Sequence, residues 1–350
     1  MTVAAQNGNG REGLRVLMVT SDWPTGPAGT AQFIERQARF LQAASVQVDV
    51  YAFRGYQNPI RYVFAWWKVQ RRVRRNHYDL AHAQFGQSAV LLFPRHVPLV
   101  VTFRGDELQG IPGDTSGRLT LRGWVLRWLC RIMARRADAT IVVSEHMKRY
   151  LDDGAPAHVI PSGLDFTLFR CTPREEARRR LGLPLAAHLA LFVGNPALAR
   201  KRYPLAQRVV EILNRSLPTQ LIVGWGVPHV DMPTLMSACD ALLFTSMQEG
   251  SPNAVKEALA CDLPVVSVAV GDVPVRLRGI EGCELCADDR PETIAAALER
   301  VLRRGQRIAG RQAVQQLDEN LITQQVLGVY DSALAHAAGR ARGRGNGARP

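Results

Sequence analysis

The chain has 350 residues, 47% hydrophobic and 21% charged, a size that suits two domains of roughly 150 residues rather than one core. No apolar run approaches the ~20 residues of a membrane span, and the polar start MTVAAQNGNGREG lacks the apolar stretch of a secretory signal, so a cytoplasmic protein is expected. The net charge of +13 sits mostly in residues 1–170, with 22 basic against 13 acidic residues, which points to an anionic partner; nucleic acid is not expected, because no recognition motif accompanies the charge. In chain order, Leu14–Ser21 is an apolar strand run, followed by a loop with Gly26 and Gly29 and a helical pattern from Gln32 to about Ala43. Further strands are read at Val46–Phe53, Leu80–Phe85, Leu99–Gly105, Ala139–Ser144 and His158–Gly163. Charged Arg170–Pro184 reads as a connector. A second series of strands follows at Leu189–Gly194, Gln220–Gly226, Ala241–Ser246 and Pro264–Val270, and a last helix at about Asn320–Ala338. Buried strands alternating with helices indicate parallel sheets covered on both faces. The fold class expected is α/β, with two doubly wound sheets facing across a cleft. Ligands in such sheets lie outside the carboxyl ends of the strands.

One stretch after a strand carries most of the chemistry, EGSPNAVKE at Glu249–Glu257. Ser251 is expected as an N-cap and Pro252 as the first helical residue. The helix start would offer free N–H groups and a partial positive charge to an anion such as a diphosphate, with Gly250 allowing close backbone approach. Glu249 before the helix and Glu257 within it are placed to accept hydrogen bonds from hydroxyls on either side of that anion. Arginine outnumbers lysine forty to four, and two of the lysines, Lys201 and Lys256, fall in segments singled out here. The six cysteines are scattered and expected as reduced thiols. Cys283 and Cys286 form a C-x-x-C with no second pair to complete a zinc site.

The segment EGSPNAVKEALACDLPVVS resembles the Glu-x7-Glu motif of the family 4 glycosyltransferases, which have the GT-B fold. His158–Phe169, Arg136–Leu151, His82–Gln87 and Val101–Leu108 resemble other parts of the same family, so the likeness covers most of the chain. The resemblance implies two Rossmann-like domains and transfer of a sugar from a nucleotide-sugar donor, with retention of configuration and no metal. It matches Glu257 to the residue that binds the ribose, Glu249 to one beside the donor sugar, and Lys201 to the lysine that neutralises the diphosphate. Gly194 and Asn195 belong to the same donor loop. Asn195 stands where the family usually has arginine, and Arg200 is a candidate for that charge. Gly29, Gly250, Ser251, Pro252 and Asn253 complete the donor-binding set. Arg104 stands where the family commonly has histidine. It contacts phosphate or an anionic group of donor or acceptor, or it pairs with Asp106 or Glu107. Lys201, Glu249 and Arg104 are the expected catalytic residues, and Arg104 and Asp106 the expected acceptor contacts.

The plan is then a leader at 1–12, an acceptor-binding domain at 13–170, a linker and nucleotide-sugar domain at 171–318, a helix at 319–338 and a disordered basic tail at 339–350. The acceptor is expected to be a glycan or a lipid-linked molecule at an anionic membrane surface. Trp66, Trp67, Trp124 and Trp128 are expected to pack their helices onto the sheet. A GT-B nucleotide-sugar epimerase, or a non-catalytic anion- or nucleic-acid-binding protein, is the alternative.

Overall fold

The computed structural model describes residues 13–55, 58–111, 118–152 and 156–345. The leader 1–12 and the last five residues of the basic tail lie outside the described residues. Eleven strands form two sheets among them. The first sheet holds β1 (Arg15–Thr20), β2 (Gln47–Ala52), β3 (Leu80–Gln84), β4 (Leu99–Phe103), β5 (Ala139–Val142) and β6 (His158–Val159), in the order β2-β1-β3-β4-β5-β6. The second holds β7 (His188–Phe192), β8 (Thr219–Val223), β9 (Ala241–Phe244), β10 (Val265–Ser267) and β11 (Glu284–Leu285), in the order β11-β10-β9-β7-β8. Every pairing is parallel. The central strands are continuous apolar runs because both of their faces are covered. β11 escapes the sequence reading because two residues are too few to show a pattern.

Two layers cover the first sheet. Leu17, Val19, Ala81, Ala83, Val101 and Phe103 meet helices Pro59–Arg75 and Leu121–Arg136 on one face. Val16, Met18, Val100 and Ile141 meet helix Gln32–Ala43 on the other. The same layer includes Ile322, Val326 and Tyr330 of the last helix, so the chain returns from the second sheet to finish the first domain's core. That helix runs Glu319–Gly345, past the expected end at Ala338, so residues 339–345 of the expected disordered tail are helical. The two crossing segments lie side by side, with Leu164 N–H on the Leu317 carbonyl at 2.7 Å and Glu319 N–H on the Leu164 carbonyl at 2.9 Å.

Two further expectations need correction. The charged stretch read as a connector contains helix Arg174–Leu181, docked on the second domain through fully buried Arg178. Arg178 pairs with Asp240 at 2.8 Å and donates to the Ala238, Leu185 and Ala187 carbonyls, which offsets the cost of burying its charge. The tryptophans expected inside are largely outside: Trp67, Trp124 and Trp128 are each more than half exposed. Trp66 is 39% exposed, its indole N–H donating to the Phe93 carbonyl. No helix among the described residues is long and apolar enough to cross a membrane.

Candidate active site

In both sheets the strand order reverses beside the first strand, between β1 and β3 and between β7 and β9. Such reversals open a crevice at the carboxyl ends of the strands. The two crevices meet in one cavity of about 320 Å³. Gly29 and Phe33, following β1, and Arg104, following β4, line it from the first domain. Gly194, Lys201, Glu249, Ser251, Pro252, Asn253 and Glu257 line it from the second. Asn195, Arg200, Gly250 and Asp106, also expected at the site, do not line this cavity; the first three adjoin lining residues in the chain, and Asp106 pairs with Arg200.

The charged centre is an ion pair. Lys201 Nζ donates to Glu249 Oε1 at 2.5 Å, with both side chains mostly buried. Gly194 sits beneath the lysine stem at φ +151°, where a Cβ would fall 3.2 Å from Lys201 Cδ. Only glycine takes that backbone conformation easily. Burial pushes the Glu249 carboxyl up, but the charges of Lys201 and Arg200 and the lysine hydrogen bond outweigh it and hold it below the usual carboxylate range. Arg200 bridges the domains, with Nε 3.0 Å from Asp106 and Nη1 3.6 Å from Glu249. Asp106, expected as an acceptor contact, is therefore committed to an interdomain pair, and its carboxyl is raised chiefly by burial. Asn195 turns its side chain inward to take the Ala197 N–H at 2.9 Å, capping its own loop.

Helix Asn253–Ala260 points its first turn at the cavity. Pro252 is its N-cap, not Ser251. Ser251 instead donates its hydroxyl to Asp272 at 2.8 Å, so the first N–H groups of the helix have no side-chain cap. The N–H groups of a first turn lack intrahelical partners and carry partial positive charge. The Asn253 side-chain oxygen is buried without a protein partner. Gly250 makes a close approach, but to protein: a Cβ there would lie 2.4 Å from the Arg104 carbonyl of the other domain. Ser144 Oγ donates to the Gly250 carbonyl at 2.9 Å and Gln109 to the Glu249 carbonyl at 2.8 Å, so this loop is clamped by the first domain.

Glu257 is buried one turn into the helix, and His229 Nε2 lies 3.1 Å from its Oε1. Burial raises the Glu257 carboxyl; the His229 hydrogen bond and neighbouring charges reverse that and bring it below its ordinary value. His229 comes from the loop after β8, its backbone N–H donating to the Pro27 carbonyl at 2.9 Å and its ring edge-on to Phe169. Sequence reading missed it, since a single histidine between Pro228 and Val230 carries no motif. Its place just beyond a strand's carboxyl end was the available signal.

Arg104 forms neither of the carboxylate pairs left open by the sequence. Its guanidinium donates to Gln84 at 2.5 Å, Gln37 at 3.2 Å and Ser162 Oγ at 2.7 Å, and stacks over Phe33. Asp106 goes to Arg200, and Glu107 accepts the backbone N–H groups of Arg104 and Gly105. Neutral partners fix the fork and leave its charge without a directly bonded carboxylate. Burial lowers the Arg104 pKa to about 10, still cationic at neutral pH. Lys256 is fully buried next to Glu257 and donates to the Ser162 carbonyl at 2.9 Å. Burial lowers its pKa to about 7. No group of three or more His, Cys, Asp or Glu side chains among the described residues could hold a metal ion.

Comparison with known proteins agrees with this geometry. Residues 10–168 match the model of Glycosyltransferase Family 4, and residues 191–304 match that of Glycosyl transferases group 1. Together the two span well over half of the chain. A Bacillus subtilis protein named for teichuronic acid biosynthesis, glycosyltransferase TuaC, is 24% identical over 74% of this chain and 82% of its own. Among solved structures, sucrose-phosphate synthase from Thermosynechococcus elongatus superposes with a TM-score of 0.79 at 17% identity, over 93% of this chain and all of that one. Anabaena HepE in complex with UDP-glucose gives 0.65 at 17% identity, over 91% of this chain and all of that one. At such identities these structures establish the shared GT-B architecture.

Proposed function

The chain belongs to the family 4 glycosyltransferases of group 1, and on that premise we propose that it moves a sugar from a nucleotide-sugar donor to a glycan or lipid-linked acceptor, with retention and without a metal. The observation that carries the reading is one cavity holding an uncapped helix start, a lysine and two glutamates between the two sheets. The donor diphosphate lies against the first turn of helix Asn253–Ala260. Lys201 donates one N–H to Glu249 and keeps two others for phosphate. Glu257 accepts the ribose hydroxyls. Glu249 orients Lys201 and lies at the sugar side. HepE's complex with UDP-glucose supports a nucleotide-sugar donor of this kind. Asn195 leaves the neutralising role to Lys201 and to Arg200, which acts through the Glu249 pair.

Transfer follows a front-face route. The anomeric carbon–phosphate oxygen bond breaks, and the acceptor oxygen bonds the same face of that carbon. The acceptor hydroxyl proton passes to the leaving phosphate oxygen. Positive charge fixed in advance at Lys201 and the helix start stabilises the departing diphosphate without an ion. Arg104 takes an anionic group of donor or acceptor. The acceptor side belongs to the basic first domain, on the cytoplasmic face of an anionic membrane, in polysaccharide or glycoconjugate synthesis. An epimerase or a non-catalytic binding protein is not favoured by matches to glycosyltransferases.

Product analysis tests the reading. A transferred sugar with the donor's anomeric coupling in proton NMR, formed equally in EDTA, is expected. Inverted product, loss of transfer in EDTA, or an epimerised donor formed without acceptor refutes it.

A further inference from the structure

Two helices on one face of the first domain share an unusual pattern. Helix Pro59–Arg75 exposes Ile60, Val63, Phe64 and Trp67, each by more than half. Helix Leu121–Arg136 exposes Leu121, Trp124, Val125 and Trp128 to the same degree. Both sets fall at i, i+3, i+4 and i+7, which is one helical stripe. Amphipathic helices of a globular domain turn that stripe inward; these turn a second one to the outside. Their inner stripes, with Ala65, Val69 and Val73 on one and Cys130, Met133 and Ala134 on the other, already fill the core. Each outer stripe then changes character at the same offset. Arg74 and Arg75 continue the first, and Arg135 and Arg136 the second.

A groove of about 690 Å³ lies beside the first helix, against edge strand β2. Arg15, Lys68, Arg71 and Arg75 line it together with Trp67. Its one acid, Asp49, is already satisfied by Arg72 at 2.5 Å and by the Tyr78 hydroxyl. The groove thus presents surplus positive charge next to an exposed indole.

Both helices follow a strand of a parallel sheet, so their first turns lie at the carboxyl ends of the strands, the end that carries the cavity. The apolar stripes occupy those first halves. We propose that this two-helix face is a bilayer-docking surface, with the apolar stripes entering the headgroup boundary and the groove taking the phosphates of anionic lipids. Scattered exposed apolar residues are ordinary, whereas contiguous ones rimmed by cations are what an anionic bilayer selects. A second copy of the chain fits the face poorly, because it would bring arginine against arginine. Docking this way lays the two helices along the bilayer, with the groove toward the amino ends of the strands and the apolar stripes toward the cleft. The rim of the cleft then lies beside the membrane, where a lipid-borne acceptor would present its head. The inference gives residues to the membrane clause of the proposed function and does not depend on the donor site.

The test is co-sedimentation of the full chain with vesicles at about 0.1 M salt, neutral phosphatidylcholine against a 3:1 mixture with phosphatidylglycerol. The wild type is expected to bind the mixture and not the neutral vesicles. One variant combines Phe64→Ser, Trp67→Ser, Trp124→Ser and Trp128→Ser; another combines Lys68→Gln, Arg71→Gln and Arg75→Gln. Both change exposed side chains, and circular dichroism checks their folding. Each is expected to lose at least tenfold in vesicle binding while keeping its thermal response to nucleoside diphosphates. A wild type that ignores anionic vesicles overturns the proposal. So does a folded serine variant that binds as the wild type does, or one whose only change is from dimer to monomer. Loss of the nucleotide response in the wild type, with vesicle binding intact, would fail the donor reading instead.

Discussion

Lys201 and Glu249 stand 2.5 Å apart on loops that follow different strands, β7 and β9, of one sheet. If the lysine carries the leaving diphosphate, Lys201→Ala should lower turnover about 100-fold or more, the cost of removing one preorganised charge. Lys201 is mostly buried, but Arg200 stays 3.6 Å from Glu249 to hold its charge, so the variant should still fold. Steady-state rates and a melting curve on the same preparation check both halves, and an unchanged rate sinks the role. His229 and Glu257 give a second expectation. Glu257→Gln should weaken nucleoside diphosphate binding about tenfold or more, as loss of a hydrogen bond to a charged group does. It should do so far less for the 2′-deoxy nucleotide. His229→Gln keeps a donor near Glu257 and should bind better than His229→Ala. Calorimetric titration of the four proteins decides; equal losses for ribose and deoxyribose would remove Glu257 from the sugar of the nucleoside. The glutamates and Lys201 were legible because a strand, a loop and a helix start stand together in sequence. Gln84, Ser162 and His229 were not, because their part in the site comes from chain segments folded against it from elsewhere.

At the level of elements, the loop Glu249–Ser251 is both donor-site wall and domain clamp. Gly250 lies against the Arg104 carbonyl with no room for a methyl group. Gly250→Ala should hold the domains slightly apart, displacing Arg104 from Lys201 across the cleft. An ångström of misplacement costs about 100-fold in rate. The expected outcome is a loss of kcat/KM of that order with the melting temperature changed by only a few degrees, measured side by side. Normal kinetics would show that the closed arrangement is not needed. The strands were readable because continuous Val- and Leu-rich runs have few other fates. Helix Gln32–Ala43 was readable from its 3.6-residue period. What periodicity cannot say is which sheet a helix joins. The last helix follows the second sheet yet completes the first domain, tied there by the buried Arg36–Glu319 pair at 2.8 Å. The outward tryptophans were misread for a related reason. Each helix carries two apolar stripes, and sequence alone does not tell which one faces the sheet.

Across the whole molecule, Lys256 joins the donor helix to the crossing segment through the Ser162 carbonyl, and Arg104 reaches the same serine by its hydroxyl. Burial lowers Lys256 to about 7. Between that pH and the ordinary lysine value the unfolded chain holds a proton that the folded chain has released, so stability should rise with pH over that window. Glu107, raised to about 7 by burial, acts oppositely and lower, costing stability as pH climbs from the ordinary carboxylate range toward 7. Lys256→Met should therefore flatten the rise above pH 7 by more than about 1 kcal/mol and leave the slope below it. Denaturant titrations at pH 6, 7.5 and 9 measure this, and parallel curves for variant and wild type would contradict it. The central claim remains that the cavity between the sheets is a nucleotide-sugar site. Its most direct test is the melting temperature of the wild type with UDP, GDP, ADP, dTDP and CDP, beside Lys201→Ala and Glu257→Gln. A nucleotide at one hundred times its Kd stabilises by about 2.7 kcal/mol. At least one of the five should raise the wild-type midpoint by a few degrees, and both variants should lose that rise. No response to any of them, or the same response in all three proteins, would contradict the claim.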